Sequence, residues 1–227
     1  MDPSIDIGVV YGACRERIGE LVRDLSAEQA QTRIPACPAW TVHDLVAHLA
    51  GTVSDVGAGK LDGIGSEQWT AAQVDARRNA SIADLLAEWN GGAQQFEEGL
   101  RLIGGTMAAL AVADVWNHEQ DLRDALDADG GADPAAELLA VEGYLARLGG
   151  ELAAAGLAPL RCRVGAKELA SGDGEPGATL TAEPFEAARA VAARRTREQL
   201  AAYHWDGDAE PYIAALAAAG PSAPLSR

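Results

Sequence analysis

The sequence predicts a mainly helical α+β protein, with a helical bundle first and a small α+β domain after it. Two observations predict this order. In most of the N-terminal two thirds, apolar residues recur every three or four positions, which is typical of amphipathic helices. Over Leu160–Val164 the period changes to two, which is typical of a strand. We therefore expect a four-helix bundle within residues 1–156 and an α+β domain at 157–227.

The predicted bundle has four long helices and a fifth behind them. Thr41 and Asp44 form a capping-box pattern, with Asp in place of the usual Glu, and this pattern predicts a helix start. Asp133-Pro134 fits an N-cap followed by the first helical position. The five helices are expected to begin near Ile7, Thr41, Ile82, Met107 and Pro134, and to end near Ser26, Val53, Gly104, Gly130 and Leu148.

Loops and the C-terminal domain complete the prediction. Prolines predict a short loop at residues 34–40, and the glycine-rich stretch 57–65 predicts a flexible connection without a phosphate-loop motif. In the C-terminal domain we expect a strand at 160–164, a turn at 171–177 and a possible second strand at 178–182. A helix from Phe185 to about Tyr203 and a last helix at 211–219 should follow.

Composition limits the classes of partner. A net charge of −16 argues against a nucleic-acid partner, because phosphates are bound by basic patches. The N-terminus shows no signal-peptide pattern, and no run of about 18 apolar residues is present, so we expect no membrane partner. Three widely spaced cysteines predict neither disulfides nor a cysteine zinc site. We expect a cytoplasmic protein, either a monomer or a homodimer.

Three polar residues occupy predicted inward positions. Asp114 and His118 lie four residues apart, so they share the inner face of one helix, and His48 lies on the inner face of the helix that starts at Thr41. Buried charges need partners. Either these residues bond to one another and to neighbours, or they hold a metal together. The other inward positions predicted for the helix of Asp114 are Met107, Leu110, Ala111, Val115, Leu122, Ala125 and Leu126.

Three segments carry a resemblance to a known family. The segments 37–42 with 44–51 (CPAWTV and DLVAHLAG), 118–123 (HEQDLR), and 194–203 followed by 205–208 (WDGD) are similar to signatures of the mycothiol-dependent maleylpyruvate isomerase family. The segments lie in the same order along nearly the whole chain. This resemblance implies a DinB-like metal-binding four-helix bundle with a small α+β C-terminal domain.

The resemblance also implies a divalent metal, usually zinc, held by His, an acidic residue and His. Matched by position, these ligands are His48, Asp114 and His118. The resembled isomerases carry Glu where this chain has Asp114, and the family's Gly-Arg pair corresponds to Ala193-Arg194. Arg194 is the candidate catalytic residue, although Arg195 or Arg123 could also bind substrate carboxylates.

The expected activity is mycothiol-dependent isomerisation of a small unsaturated acid, or thiol S-transfer. Three protein ligands leave an open coordination position, which is typical of catalytic zinc, although the same donors suit non-haem iron. The expected partners are a small-molecule substrate and the thiol cofactor, for which no binding residues are assigned. Two alternatives stay open: a hydrolase or lyase that uses metal-bound water, and a non-catalytic metal-binding module. Asp121 could orient His118, or it could lie on a solvated face.

Overall fold

The computed structural model describes residues 4–225. The predicted absence of a signal peptide rests partly on residues 1–3, which lie outside the described residues, as does the end of the predicted second domain at Arg227. The described chain divides into two compact units. The N-terminal unit comprises Asp6–Ile103 and His118–Gly131, and the C-terminal unit comprises residues 4–5, Gly104–Asn117 and 132–225. The predicted domain boundary at 156/157 stays a prediction.

The fold class is as predicted, mainly helical with small sheets. Within residues 4–225 no helix is both long enough and apolar enough to cross a membrane. The helices are α1 Ile7–Val22, α2 Ala27–Ala30, α3 Val42–Gly57, α4 Glu67–Arg77, α5 Ile82–Ile103, α6 Gly105–Leu126, α7 Pro134–Ala154, α8 Pro184–Val191, α9 Arg197–Ala201 and α10 Glu210–Ala217. The strands are β1 Arg33–Ile34, β2 Cys37–Thr41, β3 Leu160–Val164, β4 Lys167–Ala170, β5 Ala178–Ala182 and β6 His204–Gly207.

The helix starts follow from local capping. The Thr41 hydroxyl accepts a hydrogen bond from Asp44 N (3.2 Å), and the Asp44 carboxylate accepts one from Thr41 N (2.9 Å). This capping box begins α3 where the sequence predicts it. Asp133 accepts from Ala136 N at the start of α7, with Pro134 at the first position. Both contacts satisfy amide groups that a helix leaves unpaired at its N-terminus.

The core of the N-terminal unit is built where α3 packs on α5 and on α4, and where α1 packs on α5. Leu45, Leu49 and Trp89 of this core are fully or almost fully buried. A Cβ on Gly51 would lie 2.8 Å from the Cβ of Gln73, so glycine here permits the close approach of α4 to α3. That approach brings Gln73 of α4 into the interior, where it is 1% exposed.

The C-terminal unit contains a four-stranded sheet in the order β4-β3-β5-β6. Strand β3 pairs parallel with β5 and antiparallel with β4, and its side chains alternate between buried and half-buried positions. Helix α7 packs on α8 and also contacts β3 and β4. Cys162 lies on the buried face of β3, where burial raises the pKa of its thiol to about 12. None of the three cysteines, which all lie within the described residues, forms a disulfide.

Several sequence predictions are corrected. Residues 33–41 form the small antiparallel hairpin β1-β2 rather than a plain loop, and α2, α4, β4 and β6 were not predicted. The predicted helix from Phe185 to Tyr203 is two helices, α8 and α9. It breaks because Ala193 adopts a positive φ of 56°, and because Thr196 and Gln199 form a capping box that starts α9.

Helix α6 is buried on more sides than one predicted stripe. Met107, predicted to point inward, is 56% exposed. Other sides of the helix carry small residues and are also buried. Among these residues are Ala108, Ala109 and Ala113, which are at most 1% exposed. Hydropathy alone does not reveal this, because alanine is a weak indicator of burial and methionine a strong one.

Candidate metal centre

The three candidate ligands lie together. His48 is on α3, and Asp114 and His118 lie one turn apart on α6. Each offers one ligand atom, and the three atoms all lie within 4.8 Å of one another. His48 is 4% exposed and His118 is 7% exposed, whereas Asp114 is half-buried. The structure therefore brings together the residues that the sequence singles out.

Gln73 fixes the orientation of the His48 imidazole. His48 Nδ1 lies 2.9 Å from Gln73 Oε1. An amide oxygen only accepts hydrogen bonds, so Nδ1 carries the proton and Nε2 is the candidate ligand atom. Sequence reasoning missed Gln73 because it lies on α4, which the apolar pattern did not predict.

Asp121 fixes His118 in the same way. His118 Nδ1 lies 3.3 Å from Asp121 Oδ2, and Asp121 is fully buried. A carboxylate also accepts, so Nε2 of His118 is again the candidate ligand atom. The alternative in which Asp121 lies on a solvated face is wrong.

This donor set fits a divalent metal. Histidine ligands in metal sites usually donate their other ring N–H to a carboxylate or an amide oxygen, as both rings do here. Two imidazole nitrogens and one carboxylate suit zinc with an open position, and they equally suit non-haem iron. His43 has a different role, since its Nε2 lies 2.8 Å from the backbone oxygen of Ala80.

Trp40 forms an apolar wall beside both histidines. Its ring centroid lies 5.2 Å from that of His48 and 6.0 Å from that of His118, and the two imidazole centroids are 5.4 Å apart. Trp40 is half-buried, at the end of the β1-β2 hairpin. An indole at this distance offers apolar contact to a ligand that binds near the two imidazoles.

Asp114, which belongs to the C-terminal unit, lies near charged and polar groups of the same unit. Burial of the Tyr144 hydroxyl raises its pKa to about 12, and the charge of Asp114 adds to this shift. The positive charge of Arg194 and a hydrogen bond with Asn117 act in the opposite direction. Arg189, fully buried on α8, donates to Asn117 Oδ1 (2.8 Å). Asn117, Tyr144 and Arg189 were not predicted as site residues, and no sequence pattern marks them.

The three candidate arginines have different surroundings. Arg195 is buried and donates to both carboxylate oxygens of Glu186 (2.8 and 2.9 Å), so it has a structural partner. Arg194 is half-buried, and its Nη1 donates to the backbone oxygen of Ala192 (3.1 Å). Of these two, Arg194 is the one that remains a candidate for substrate contact.

Arg123 belongs to a buried ion cluster. It donates to Glu119 Oε1 (2.9 Å), and Arg17 donates to Glu119 Oε2 (2.8 Å). Glu119 is fully buried, and Arg123 also donates to the backbone of Asp129. Arg123 is therefore committed to this cluster, so it is a poor candidate for binding substrate.

Comparison with known proteins gives a match to a family model. The family model described as "Mycothiol maleylpyruvate isomerase N-terminal domain" matches residues 11–123. This range includes His48, Asp114 and His118 and ends before Arg194. No curated protein and no solved structure matches the chain.

Proposed function

Residues 11–123 of this chain belong to the family of the mycothiol maleylpyruvate isomerase N-terminal domain, and from this premise we propose a metal-dependent, mycothiol-dependent enzyme. Its reaction is cis–trans isomerisation of a small unsaturated acid, or transfer of the thiol to such an acid. The observation that carries the proposal is the triad His48, Asp114 and His118, with both imidazoles oriented to present Nε2.

Each residue of the site has a role in this proposal. His48 and His118 would donate Nε2 to the metal, and Asp114 would donate a carboxylate oxygen. Gln73 and Asp121 hold the two Nδ1 protons. A divalent metal with an open position lowers the pKa of a bound thiol, so that thiolate is available at neutral pH. Zinc suits this role, because it has no redox chemistry with thiols.

The reaction class follows from thiol chemistry. Reversible addition of a thiol to an activated double bond leaves a single bond that can rotate, which interconverts cis and trans isomers. In an S-transferase the new C–S bond is retained instead. Arg194 would bind a substrate carboxylate, since guanidinium matches carboxylate geometry. Asp114 is one methylene shorter than the Glu of the resembled isomerases, so a metal held here would have to lie closer to α6 or be bound less tightly.

The experiment compares turnover with and without the thiol. Zinc-loaded full chain is assayed with a set of small unsaturated acids, in thiol-free buffer and with added mycothiol. We expect turnover only with mycothiol, and the His118→Ala variant should be inactive under both conditions while His43→Ala stays active. Cobalt-substituted protein titrated with mycothiol should gain a sulfur-to-metal charge-transfer band.

Other outcomes would favour the other classes. Turnover that is undiminished without thiol, and a cobalt spectrum that mycothiol leaves unchanged, would indicate a hydrolase or lyase that uses bound water. Metal binding without any turnover would favour a non-catalytic module. The cytoplasmic location and the monomeric or homodimeric state stay predictions.

A further inference from the structure

A groove of about 680 Å³ lies on the N-terminal unit. None of the candidate metal ligands lines it. Its walls come from α3, α4, α5 and the connection between α3 and α4, and its size lies in the usual range of ligand pockets. The side chains that give it its chemistry are Asp55, Lys60, Asp62, Trp69, Arg77 and Glu88.

Contacts within the wall hold Asp55, Lys60, Trp69, Arg77 and Glu88 in place. Arg77 donates to both carboxylate oxygens of Glu88, with Nη2–Oε1 2.6 Å and Nε–Oε2 3.0 Å. Lys60 Nζ lies 3.2 Å from Asp55 Oδ1. The indole N–H of Trp69 donates to the backbone oxygen of Lys60 (3.1 Å), which fixes a half-exposed ring in the wall. A ligand therefore meets a largely ordered surface, which reduces the entropy cost of binding.

The charges of the groove indicate the class of ligand. Three carboxylates and two cations leave a net charge near −1, so the groove is not built for a phosphate or another anion. An apolar ligand would desolvate these charges without replacing their hydrogen bonds, which is costly. A neutral ring with many hydroxyl groups can donate to the carboxylates and accept from the cations. Its apolar C–H face can lie on the indole of Trp69.

The same two helices support both the groove and His48. Asp55 follows His48 by seven residues on α3, which is two turns along one helix face and about 10 Å at 1.5 Å per residue. On α4, Gln73 contacts His48, and it lies one turn from Trp69 on one side and one turn from Arg77 on the other. A molecule with a reactive group near His48 and a polar body of about this length could reach the groove.

We propose that the groove binds a neutral polyhydroxylated group, namely the sugar-bearing body of the thiol cofactor. The identity of this ligand rests on the proposed function, whereas its class rests on the groove itself. In mycothiol the thiol belongs to an N-acetylcysteinyl group that is amide-linked to an aminosugar, which is joined to a cyclitol. The body beyond the cysteine is therefore neutral, and most of its surface consists of hydroxyl groups. Trp69 is then the main apolar contact, and Asp62 and the Arg77–Glu88 pair supply hydrogen bonds.

The test uses the thiol-free, neutral pseudodisaccharide N-acetylglucosaminyl-inositol as the probe, titrated into the full chain by calorimetry; its amine is capped as an amide, so its charge cannot account for binding. We expect the wild type to bind it and Trp69→Ala to weaken binding at least about tenfold. Trp69→Tyr, which keeps an aromatic face, should recover most of the affinity. Asp62→Asn should weaken binding, whereas Asp173→Asn, at an exposed turn outside the groove, should not. Circular dichroism establishes that each variant is folded.

Two results would overturn the assignment. One is a wild type that does not bind the probe at millimolar concentration, and the other is a folded Trp69→Ala variant that binds it like the wild type. The assignment of the groove and the proposed function can each be contradicted without the other. Probe binding that is lost in Trp69→Ala supports the groove even if the chain shows no thiol-dependent turnover. Thiol-dependent turnover with an unchanged KM for mycothiol in Trp69→Ala argues against the groove alone.

Discussion

Gln73 Oε1 accepts a hydrogen bond of 2.9 Å from Nδ1 of His48, and both side chains are buried. This contact joins α4 to the histidine of α3 and sets which ring nitrogen faces away from α4. Because a buried imidazole without an N–H acceptor loses its fixed tautomer, Gln73 should matter for any ligand that His48 binds.

Substitution of Gln73 should therefore weaken metal binding. Gln73→Leu removes the acceptor and should lower zinc affinity about 10- to 100-fold, the usual effect of losing such a contact. Gln73→Glu keeps an acceptor and should bind zinc more tightly than Gln73→Leu. Competition with a chromophoric chelator measures both. Gln94→Leu, on the exposed side of α5, is the matched control, and equal affinities for the Leu variants would contradict the role of Gln73.

His118 should be required for metal occupancy. Purified wild-type chain should carry about one divalent metal ion, since the three donors define one site. His118→Ala removes a donor and should abolish occupancy. His43→Ala should retain it, because His43 instead contacts the backbone of Ala80. Metal analysis of the three proteins makes the comparison, and equal metal content in both variants would exclude His118 as a ligand.

Asp114 should supply the acidic ligand. Asp114→Asn keeps the size of the side chain and removes its charge, so zinc affinity should fall markedly while the helical circular dichroism spectrum stays unchanged. Wild-type affinity in this variant would mean that the acidic ligand lies elsewhere on α6. Glu119 is a poor substitute, because it is committed to Arg17 and Arg123.

Glu119 should determine stability rather than metal binding. Glu119→Gln leaves the buried guanidinium of Arg123 without its anion, and removal of one partner of a buried ion pair typically costs about 3–5 kcal/mol of unfolding free energy. Glu16→Gln is the control: that side chain is 70% exposed, and its ion pair with Arg15 should contribute under about 1 kcal/mol. Urea unfolding measures both, and similar midpoints would contradict the prediction.

Glu186 should contribute to stability at neutral pH and lose that contribution in acid. Burial alone would raise its pKa, but hydrogen bonds from Arg195 and Tyr203 outweigh burial and hold the pKa below its ordinary value of 4.5. The unfolded chain therefore binds this proton more readily, so the contribution is complete above the ordinary pKa and disappears as the pH falls through the folded-state pKa.

The measurement is urea unfolding in EDTA between about pH 6 and pH 3. At about pH 6 the unfolding free energy of Glu186→Gln should be lower than that of the wild type. Between about pH 6 and pH 3 it should decrease less than that of the wild type does. Glu175→Gln, an exposed carboxylate in the turn before β5, is the control and should follow the wild type. Parallel curves for the wild type and Glu186→Gln would contradict the assignment.

Much of the fold was predictable because long helices carry their periodicity locally. Helices α3, α5 and α7 have strong apolar stripes or clear caps, and they begin where Thr41, Ile82 and Pro134 predict. Helix α4 was missed because it buries little more than Gln73, so its apolar signal is weak. The strands β4 and β6 are short and are defined by their pairing partners, which a local pattern does not contain.

The site was predictable in part for the same reason. His48, Asp114 and His118 stand out as polar residues on apolar helix faces, and the structure brings them together. The two residues that orient the histidines differ in how easily the sequence reveals them. Asp121 lies one turn beyond His118 and could be inferred, whereas Gln73 is 25 residues away from His48 along the chain. A contact of that kind depends on tertiary packing and leaves no trace in sequence spacing.

The loop that carries Arg194 has a consequence for sequence variation. Ala193 follows the cap of α8 with a φ of 56°, a conformation that costs an ordinary residue about 1–2 kcal/mol and costs glycine almost nothing. Glycine here would relieve that strain, and at a positive φ this gain exceeds the cost of the greater freedom that glycine gives the unfolded chain. Backbone bonds from Ala193 N to Ala190 O and from Arg194 N to Arg189 O hold the loop with either residue. Glycine at position 193 should therefore make the chain slightly more stable than alanine, with the backbone that presents Arg194 preserved.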